Sequence, residues 1–343
     1  MLPAWLGRLR IRAQSLRVTI TLSFILLVLL TAGSIGYITL QNSQRGHEVL
    51  GDQFLYQIEL NVRQRLDDYL AMPHMLNRYN AEEIKRDPTV LADLTALRPR
   101  YLRQLLAFDP IMTVAIGIEQ SGEIIGVGRR GNDTYDSGVM DRRVDNTYRV
   151  YLLDRSGNIQ GIVAETPNYD ARTRPWYQAG VKAGKAAWSP VYVWASQQNI
   201  GITAVLPIYD DAGSLLGVHQ SALSLKYIGQ FLSTLRIGRS GQIFLMERSG
   251  WLIGTSIPEE PVRLDPAGTG LTRIKATEST DAFTRAAAEH LMTRFPDLQG
   301  MPDPYRTHVD LAGKSYFLIA SPFSDPYGLD WVMVIGVPEA DFM

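Results

Sequence analysis

Residues 169–177, with the sequence YDARTRPWY, concentrate side chains that bind small anions. Two of them are arginines, and a guanidinium is a planar fork that matches a carboxylate. The rings of Tyr and Trp add flat apolar walls, and the Tyr hydroxyls add donors at low entropic cost. Pro175 suits the first turn of a helix and Gly184 its end, so a short helix is predicted over residues 174–183, where Arg174 and Tyr177 would share a face. From the residues alone, the stretch is either an anion site at a helix N-terminus or a guanidinium packed between rings.

No catalytic or metal-binding pattern accompanies this stretch. The five histidines show no pairing at metal-ligand spacing, cysteine is absent, and the paired acids fall in turns or helix starts. Residues 126–131, GVGRRG, match G-x-G-x-x-G but follow a hairpin and precede no helix, which excludes a dinucleotide fingerprint. With 34 basic and 35 acidic residues, the chain has no field that would attract nucleic acid. We therefore predict no catalytic residue, no metal, no cofactor and no nucleic-acid partner, and hence that the chain is not an enzyme in itself.

The N-terminal region has the pattern of a membrane anchor. Residues 18–43 contain no charged side chain, and a helix of that length can cross a bilayer. Four arginines and no acid precede them, so the positive-inside rule places residues 1–17 in the cytoplasm. We predict a transmembrane helix over residues 18–40 of the inner membrane, with the chain extracytoplasmic from about residue 44. A cleaved signal peptide is the alternative, because small residues follow the apolar run.

A long helix is predicted to continue from the membrane as a stalk. Apolar residues recur there at steps of three and four, namely Leu50, Phe54, Ile58, Val62, Leu66, Tyr69 and Leu70. Pro73 should end this helix, and a second helical pattern over residues 89–108 should be bent or broken at Pro99. The stripe predicts a parallel homodimer through residues 44–72. The alternative is that the stripe packs only on the chain's own sensor modules.

An internal repeat marks the β-rich remainder of the chain. Its copies are IEQSGEIIG (118–126), LDRSGNIQG (153–161), YDDAGSLLG (209–217) and MERSGWLIG (246–254), with a looser copy, VDLAGKSYF, at 309–317. The acid can bind turn amides and the glycine tolerates positive φ, so each copy predicts a β-hairpin. Between them, helices are predicted over residues 227–235 and 281–295, the second capped by Asp281, and a loop over 257–272. The fold class predicted is α+β, with two antiparallel modules in tandem, residues 109–225 and 226–343, after a segment of stalk and helices over 41–108.

Several stretches together resemble a known family. They are YDARTRPWY, the following WSPVY (188–192), the strand LLGVHQSALSL (215–225), GRSGQIFLMERSG (238–250) and the closing strand WVMVIGVP (331–338). Over about residues 41–343 the chain resembles double-Cache (dCache) domains, the extracytoplasmic sensor regions of bacterial transmembrane receptors. The resemblance implies two PAS-like modules, dimers through the long helix, and a small ligand in the membrane-distal module, 109–225. The membrane-proximal module lacks the Arg-x-Trp-Tyr run, so we expect its interior to be filled by its own side chains.

The resemblance also implies which residues bind the ligand. By match to the amino-acid-binding branch, the carboxylate would be held by Tyr169, Arg174, Trp176 and Tyr177, with Tyr192 as a further pocket residue. The acids that hold the ligand's amine in that branch are missing, because Trp194 and Ala222 occupy their positions. An ammonium would meet no counter-charge unless one of three nearby acids reaches the site, namely Asp170, Asp210 or Asp211.

The function expected is that of a membrane-anchored sensor region that binds a small carboxylate-bearing or anionic solute, or an amino-acid-like one. It would pass a helix displacement to an output module outside this chain, such as a histidine kinase, a nucleotide cyclase or a chemotaxis module. The alternative is a membrane-anchored solute-binding or scaffolding protein without transduction.

Overall fold

The computed structural model describes residues 16–131, 134–194, 199–265, 270–311 and 313–341. The chain divides between Ile58 and Glu59 into two compact units. Helix α1 (Leu16–Arg86) provides the described part of the first unit and the beginning of the second. Among the described residues, no helix has a stretch both long and apolar enough to cross a membrane, so the predicted span over residues 18–40 is not confirmed. The predicted cytoplasmic segment lies outside the described residues, apart from residues 16 and 17.

Helix α1 does not end at Pro73, as the sequence pattern predicts, but runs through it to Arg86. Proline in a helix interior removes one backbone hydrogen bond and costs about 3 kcal/mol. The residues on both sides are buried, with Leu66, Leu70, Leu76 and Ile84 all at most 3% exposed. Burial of apolar side chains on either side of the proline therefore offsets the lost backbone bond and carries the helix onward.

The apolar stripe of α1 is largely covered by the chain itself. Val62, Leu66 and Leu70 are almost fully buried, and the Tyr69 ring stacks on Phe231 with 4.3 Å between ring centroids. This part of the stripe packs as the alternative interpretation expects and is not available to a partner helix. The dimer through residues 44–72 stays a prediction.

The segment that follows α1 begins with two 3-10 turns, Pro88–Ala92 and Leu94–Leu97, rather than one broken helix. Asp87 and Asp93 cap them by accepting hydrogen bonds from the amides of Thr89 and Thr95. Helix α2 (Arg98–Ala107) then carries Pro99 in its first turn. Pro99 therefore begins a helix instead of interrupting one, because a residue in the first turn needs no intrahelical donor.

The first sheet contains nine described strands, all antiparallel, in the order β5-β4-β3-β2-β1-β9-β8-β6, with β7 also paired to β8. Their bounds are β1 (Thr113–Ile118), β2 (Ile124–Gly131), β3 (Thr134–Met140), β4 (Tyr148–Leu153), β5 (Ile159–Thr166), β6 (Ala187–Trp188), β7 (Tyr192–Val193), β8 (Ile200–Tyr209) and β9 (Leu215–Ser224). Helix α3 (Pro175–Ala183) lies between β5 and β6 in sequence and packs on β8.

The second sheet contains five described strands in the order β11-β10-β16-β15-β14. Its elements are helix α4 (Leu225–Thr234), β10 (Gln242–Glu247), β11 (Leu252–Thr255), helix α5 (Ala282–Arg294), β14 (Tyr305–Leu311), β15 (Lys314–Ser324) and β16 (Asp330–Pro338). The segment predicted as a loop, 257–272, instead contributes to a separate two-stranded hairpin of β12 (Val262–Leu264) and β13 (Leu271–Arg273). Phe244, Phe283, Leu291 and Tyr316 are buried in one apolar cluster of this region. The division of the β-rich part into two modules at residue 225 stays a prediction.

All five copies of the internal repeat form hairpins between neighbouring antiparallel strands, as predicted. The fifth residue of each copy is the glycine of the turn, and its φ is positive, between 71° and 90°. In two copies the acid is Asp154 or Asp210, and its carboxylate accepts hydrogen bonds from turn amides two and four residues on. The local signal in the repeat was therefore sufficient to predict the turns.

Asp281 caps α5, as predicted, because its Oδ2 accepts a hydrogen bond of 2.7 Å from the Thr284 amide. Loss of such a cap costs about 1 kcal/mol. We expect Asp281→Ala to lower the free energy of unfolding by about 1 kcal/mol in urea denaturation, and Asp281→Asn, which keeps the acceptor, to lower it by a few tenths. An equal loss in both variants would show that the negative charge, and not the cap, is what stabilises the helix.

A buried aromatic junction joins the long helix to both sheets. The His74 ring of α1 stacks on Tyr327, at 3.6 Å between centroids, and meets the Trp188 ring edge-on at 4.5 Å. The Trp188 indole N–H donates to Asp325 Oδ2 at 2.6 Å. Because Trp188 belongs to the first sheet and residues 325 and 327 follow β15 of the second, the junction connects β6 to the β15–β16 turn.

Candidate functional site

The run 169–177 places its side chains through two consecutive turns. Asp170 caps a 3-10 turn, Ala171–Thr173, by accepting the Arg172 amide at 2.9 Å. Arg174 then has an extended backbone, φ −79° and ψ 144°, and is the N-cap residue of α3, with Pro175 in the first turn. Gly184 ends the helix in a left-handed conformation. The predicted helix over residues 174–183 is confirmed, apart from its first residue.

A cavity of about 170 Å³ lies beside this run. Five aromatic side chains line it, namely Tyr148, Tyr169, Trp176, Tyr192 and Trp194. Polar side chains in its lining are those of Thr113, Asp136, Thr166, Arg174 and Gln220. The cavity therefore combines apolar walls with a few polar groups, which is the usual composition of a small-molecule site.

Small residues of the first sheet form one wall of the cavity. Gly126 pairs with Ala115 on one side and Gly138 on the other, and all three line the cavity. A Cβ atom at Gly138 would lie 1.9 Å from the Tyr148 hydroxyl, so the ring of Tyr148 covers this glycine directly. The space for a ligand exists because these strands carry no large side chains at this row.

Five of the six predicted ligand-binding residues meet at this cavity: Tyr169, Arg174, Trp176, Tyr192 and Trp194. Ala222, at the position where an acid was expected, also lines it.

Tyr177 does not line this cavity. It is 1% exposed, and its hydroxyl donates to Glu119 Oε2 at 2.8 Å. Arg174 is not helical, so the spacing of three residues does not place the two side chains on one helix face.

None of the three acids suggested as partners for an ammonium reaches the cavity. Asp170 accepts hydrogen bonds from the Arg172 guanidinium, the nearest at 2.6 Å, and these hold the pKa of Asp170 below its ordinary value. Asp210 binds the amides of Ala212 and Ser214 in the β8–β9 turn, and Asp211 is exposed in that turn. Asp170 and Asp210 are held by hydrogen bonds within their own turns, and for this reason they do not extend into the cavity.

Of the described acids, Asp136 of β3 lines the cavity, and it is only 5% exposed. Arg130 Nη1 lies 3.3 Å from its Oδ2. Sequence reasoning missed this residue, although an aspartate inside a strand is unfavourable and is a signal in itself. Its side chain reaches the cavity because β3 pairs with β2 in a register that places Asp136 opposite Gly128.

The tyrosine hydroxyls of the cavity are hydrogen-bond donors at neutral pH. Burial raises the pKa of Tyr169 and of Tyr192 to about 12, and raises that of Tyr148 well above its ordinary value. The Tyr148 and Tyr169 rings stack at 4.5 Å, and the Arg174 guanidinium carbon lies 6.0 Å from the Tyr169 ring centre. The wall around Arg174 is therefore neutral, aromatic and rich in donors.

Two buried polar atoms of lining residues have no hydrogen-bond partner within the described part of the chain. They are the Gln220 side-chain oxygen and the Trp194 indole nitrogen. A buried acceptor or donor left unpaired costs about 1–3 kcal/mol. One acceptor and one donor thus remain for a ligand or for water.

Comparison with known proteins identifies relatives among bacterial chemoreceptors. A family model described as a Cache domain, dCache_1, matches residues 57–343. The methyl-accepting chemotaxis protein McpG of Pseudomonas putida is 28% identical over 106 residues, which are 30% of this chain and 16% of McpG. The protein PctB of Pseudomonas aeruginosa is 27% identical over 109 residues, 30% of this chain and 17% of PctB. The chain thus matches about a sixth of the length of these two relatives.

Solved structures of ligand-binding domains share the fold. The PctB domain in complex with L-Arg has a TM-score of 0.50 at 19% identity and covers 84% of this chain and 95% of its own. The domain of the Campylobacter jejuni chemoreceptor Tlp3 in complex with 4-methylisoleucine has a TM-score of 0.53 at 12% identity, covering 85% and 92%. At such identities the likeness establishes the fold and leaves the ligand of this chain open.

Proposed function

Because this chain belongs to the Cache domain family, we propose that it is the extracytoplasmic ligand-sensing region of a membrane-bound receptor, and that the cavity beside Arg174 binds a small carboxylate-bearing solute. The relatives McpG and PctB are methyl-accepting chemotaxis proteins, which supports a sensory rather than an enzymatic role. The PctB and Tlp3 domains were solved with L-Arg and with 4-methylisoleucine, which supports a carboxylate-bearing ligand.

The observation that carries the proposal is the environment of Arg174. Its guanidinium lines the cavity, is partly buried, and forms no ion pair with any of the described carboxylates. Arginine in such a position provides several N–H donors in a planar arrangement that fits a carboxylate. An anionic group on the ligand would form the ion pair with Arg174 that the tyrosines and tryptophans of the lining cannot form.

The size of the cavity supports a small ligand. A cavity of about 150 Å³ in another protein holds benzene, and this one measures about 170 Å³. Short-chain carboxylic and amino acids have about as many non-hydrogen atoms as benzene. We therefore expect these compounds, rather than larger dicarboxylates or nucleotides, to fit without rearrangement of the walls.

Substitution of Arg174 tests the proposal. A hydrogen bond to a charged group contributes about 1.5–3 kcal/mol, so Arg174→Ala should weaken binding by about 10- to 150-fold. The measurement is calorimetry on the purified full chain with propionate, butyrate and their amino derivatives. A thermal melt without ligand verifies that the variant is folded.

Arg172→Ala is the matched control, since Arg172 lies two residues away, bonds to Asp170 and does not line the cavity. It should bind the same compounds as the unsubstituted chain does. Equal affinity in the Arg174→Ala variant and the unsubstituted chain would refute the proposed site.

Membrane attachment, dimerisation and signal output extend the same proposal. The uncharged run 18–43 and the arginines before it support an anchor in the inner membrane with the cavity outside the cytoplasm. Exposed apolar side chains at Tyr56 and Leu60, within residues 44–72 of α1, support a second copy as partner of this helix. The matched chemoreceptors support a signalling output, of a type that these residues do not specify.

A further inference from the structure

Among the described residues, the lining of the cavity contains one positive and one negative side chain, Arg174 and Asp136. A cavity with a cation alone would suit a plain carboxylate, because a buried charge needs a partner of opposite sign. An additional carboxylate in the lining makes a second anion in the cavity unfavourable and a cation favourable. The pair of charges thus matches a ligand that carries both signs.

The two charges act on the same region of the cavity. Both influence the Tyr148 hydroxyl, whose pKa is raised chiefly by burial, raised further by Asp136 and lowered by Arg174. Tyr148 also covers Gly138, which lies two residues after Asp136 on β3. A small molecule beside Tyr148 would therefore lie within electrostatic reach of both charged groups.

The strand register shows where Asp136 lies relative to the position at which an acid was expected. Ala222 of β9 pairs with Thr113, Thr113 with Gly128, and Gly128 with Asp136. The two positions are thus in one row of the sheet, three strands apart, or about 14 Å at the usual strand spacing. Thr113 and Gly128 between them are small, so the row is open along the cavity.

We propose that Asp136 binds an ammonium group of the ligand that Arg174 holds by its carboxylate, so that this cavity recognises a small zwitterionic amino acid through an acid on β3. The inference rests on the proposed function of the Arg174 site. The unpaired Gln220 oxygen provides a further acceptor in the same lining for a cationic donor. Asp136 lies three strands away from residue 222, where the family resemblance places the acid. The ammonium group that Asp136 binds can therefore be on a carbon of the ligand other than the α carbon.

Arg130 offers the competing explanation for Asp136. Its Nη1 lies 3.3 Å from the Asp136 carboxylate, and its side chain is about one-third exposed at 34%. If Asp136 serves only to pair with Arg130, loss of either partner would have the same effect on binding. Arg130 does not line the cavity, so its replacement separates the two explanations.

The test compares acids that differ only in the amine. Calorimetry on the purified full chain uses propionate, L-alanine and β-alanine as one set, and butyrate, L-2-aminobutyrate and 4-aminobutyrate as the other. In the unsubstituted chain, at least one amine-bearing acid should bind tighter than its plain acid by tenfold or more. Asp136→Asn should reduce that preference by about tenfold or more, which corresponds to the loss of one charge-assisted hydrogen bond. The affinity of this variant for the plain acid should stay within about threefold of that of the unsubstituted chain.

The control variants make the outcomes distinct. Arg130→Gln should keep the preference for the amine, and Arg174→Ala should weaken the binding of all three compounds in each set. No preference for any amine-bearing acid, or an equal change in Asp136→Asn and Arg130→Gln, would overturn the role of Asp136 while leaving the Arg174 site intact. Binding that is unaffected by Arg174→Ala, or absent for all six compounds, would overturn the proposed function as well.

Discussion

The Asn77→Ala substitution should lower the free energy of unfolding by about 3–5 kcal/mol. Asn77 is fully buried on α1 and satisfies three groups of the first sheet. Its Nδ2 donates to the Ala204 carbonyl at 2.8 Å, and its Oδ1 accepts from Ser221 Oγ at 2.7 Å and His219 Nδ1 at 2.9 Å. Alanine would leave all three without a partner, each at a cost of about 1–3 kcal/mol.

Urea denaturation of the full chain measures this loss. Gln64→Ala, at an exposed site of the same helix, is the control and should change stability by less than about 0.5 kcal/mol. A loss below about 1 kcal/mol in Asn77→Ala would mean that water enters the site and replaces the amide.

Acidification from pH 7 to pH 5 should lower the free energy of unfolding by about 2 kcal/mol for each of two buried histidines, His74 and His219. Burial lowers the pKa of both to about 3, and nearby Arg78 and Arg100 respectively add to the effect. The unfolded chain, with an ordinary pKa of about 6.5, takes up protons that the folded chain does not. The contribution of each neutral histidine to stability is therefore fully present above a pH of about 6.5 and falls as the pH decreases from there toward 3.

Replacement of His74 separates its contribution from that of the carboxylates. His74→Phe keeps an aromatic ring between Tyr327 and Trp188 and removes the titrating group. Its loss of stability between pH 7 and pH 5, measured by urea denaturation at both values, should be about 2 kcal/mol smaller than that of the unsubstituted chain. An unchanged pH dependence would show that His74 is already protonated in the folded chain.

Local signals predicted the local structure well. The Gly of each repeat copy, the Asp281 cap and the Pro175 to Gly184 helix depend on backbone preferences that a few neighbouring residues determine. Pro73 was misleading for the same reason, since its local effect is to break helices and only the packing of distant residues overrides it. The hairpin of β12 and β13 was missed because each strand is three residues long, which is too short for an alternating pattern to indicate a strand.

The candidate site was predictable only where it is continuous in sequence or matched a family motif. Tyr169, Arg174 and Trp176 come from one run, and their common location follows from the turns within it. Asp136 lies far from that run in sequence and reaches the cavity through the pairing of β3 with β2, which no periodicity specifies. Tyr177 was assigned to the site by its match to the family motif, and the structure places it outside the cavity lining, with its hydroxyl bonded to Glu119. The face that it was predicted to share with Arg174 assumed a helical Arg174, whereas this N-cap residue is extended.

Strand β9 alternates between two environments, and this makes it a mechanical link. Gln220 and Ala222 line the cavity, whereas His219 and Ser221, in between, bond to Asn77 of the long helix. A strand cannot shift one face without the other, because successive side chains share one backbone. A displacement of the β9 backbone at Gln220 would also displace the groups that bond to Asn77, so this strand connects the cavity wall to α1 directly.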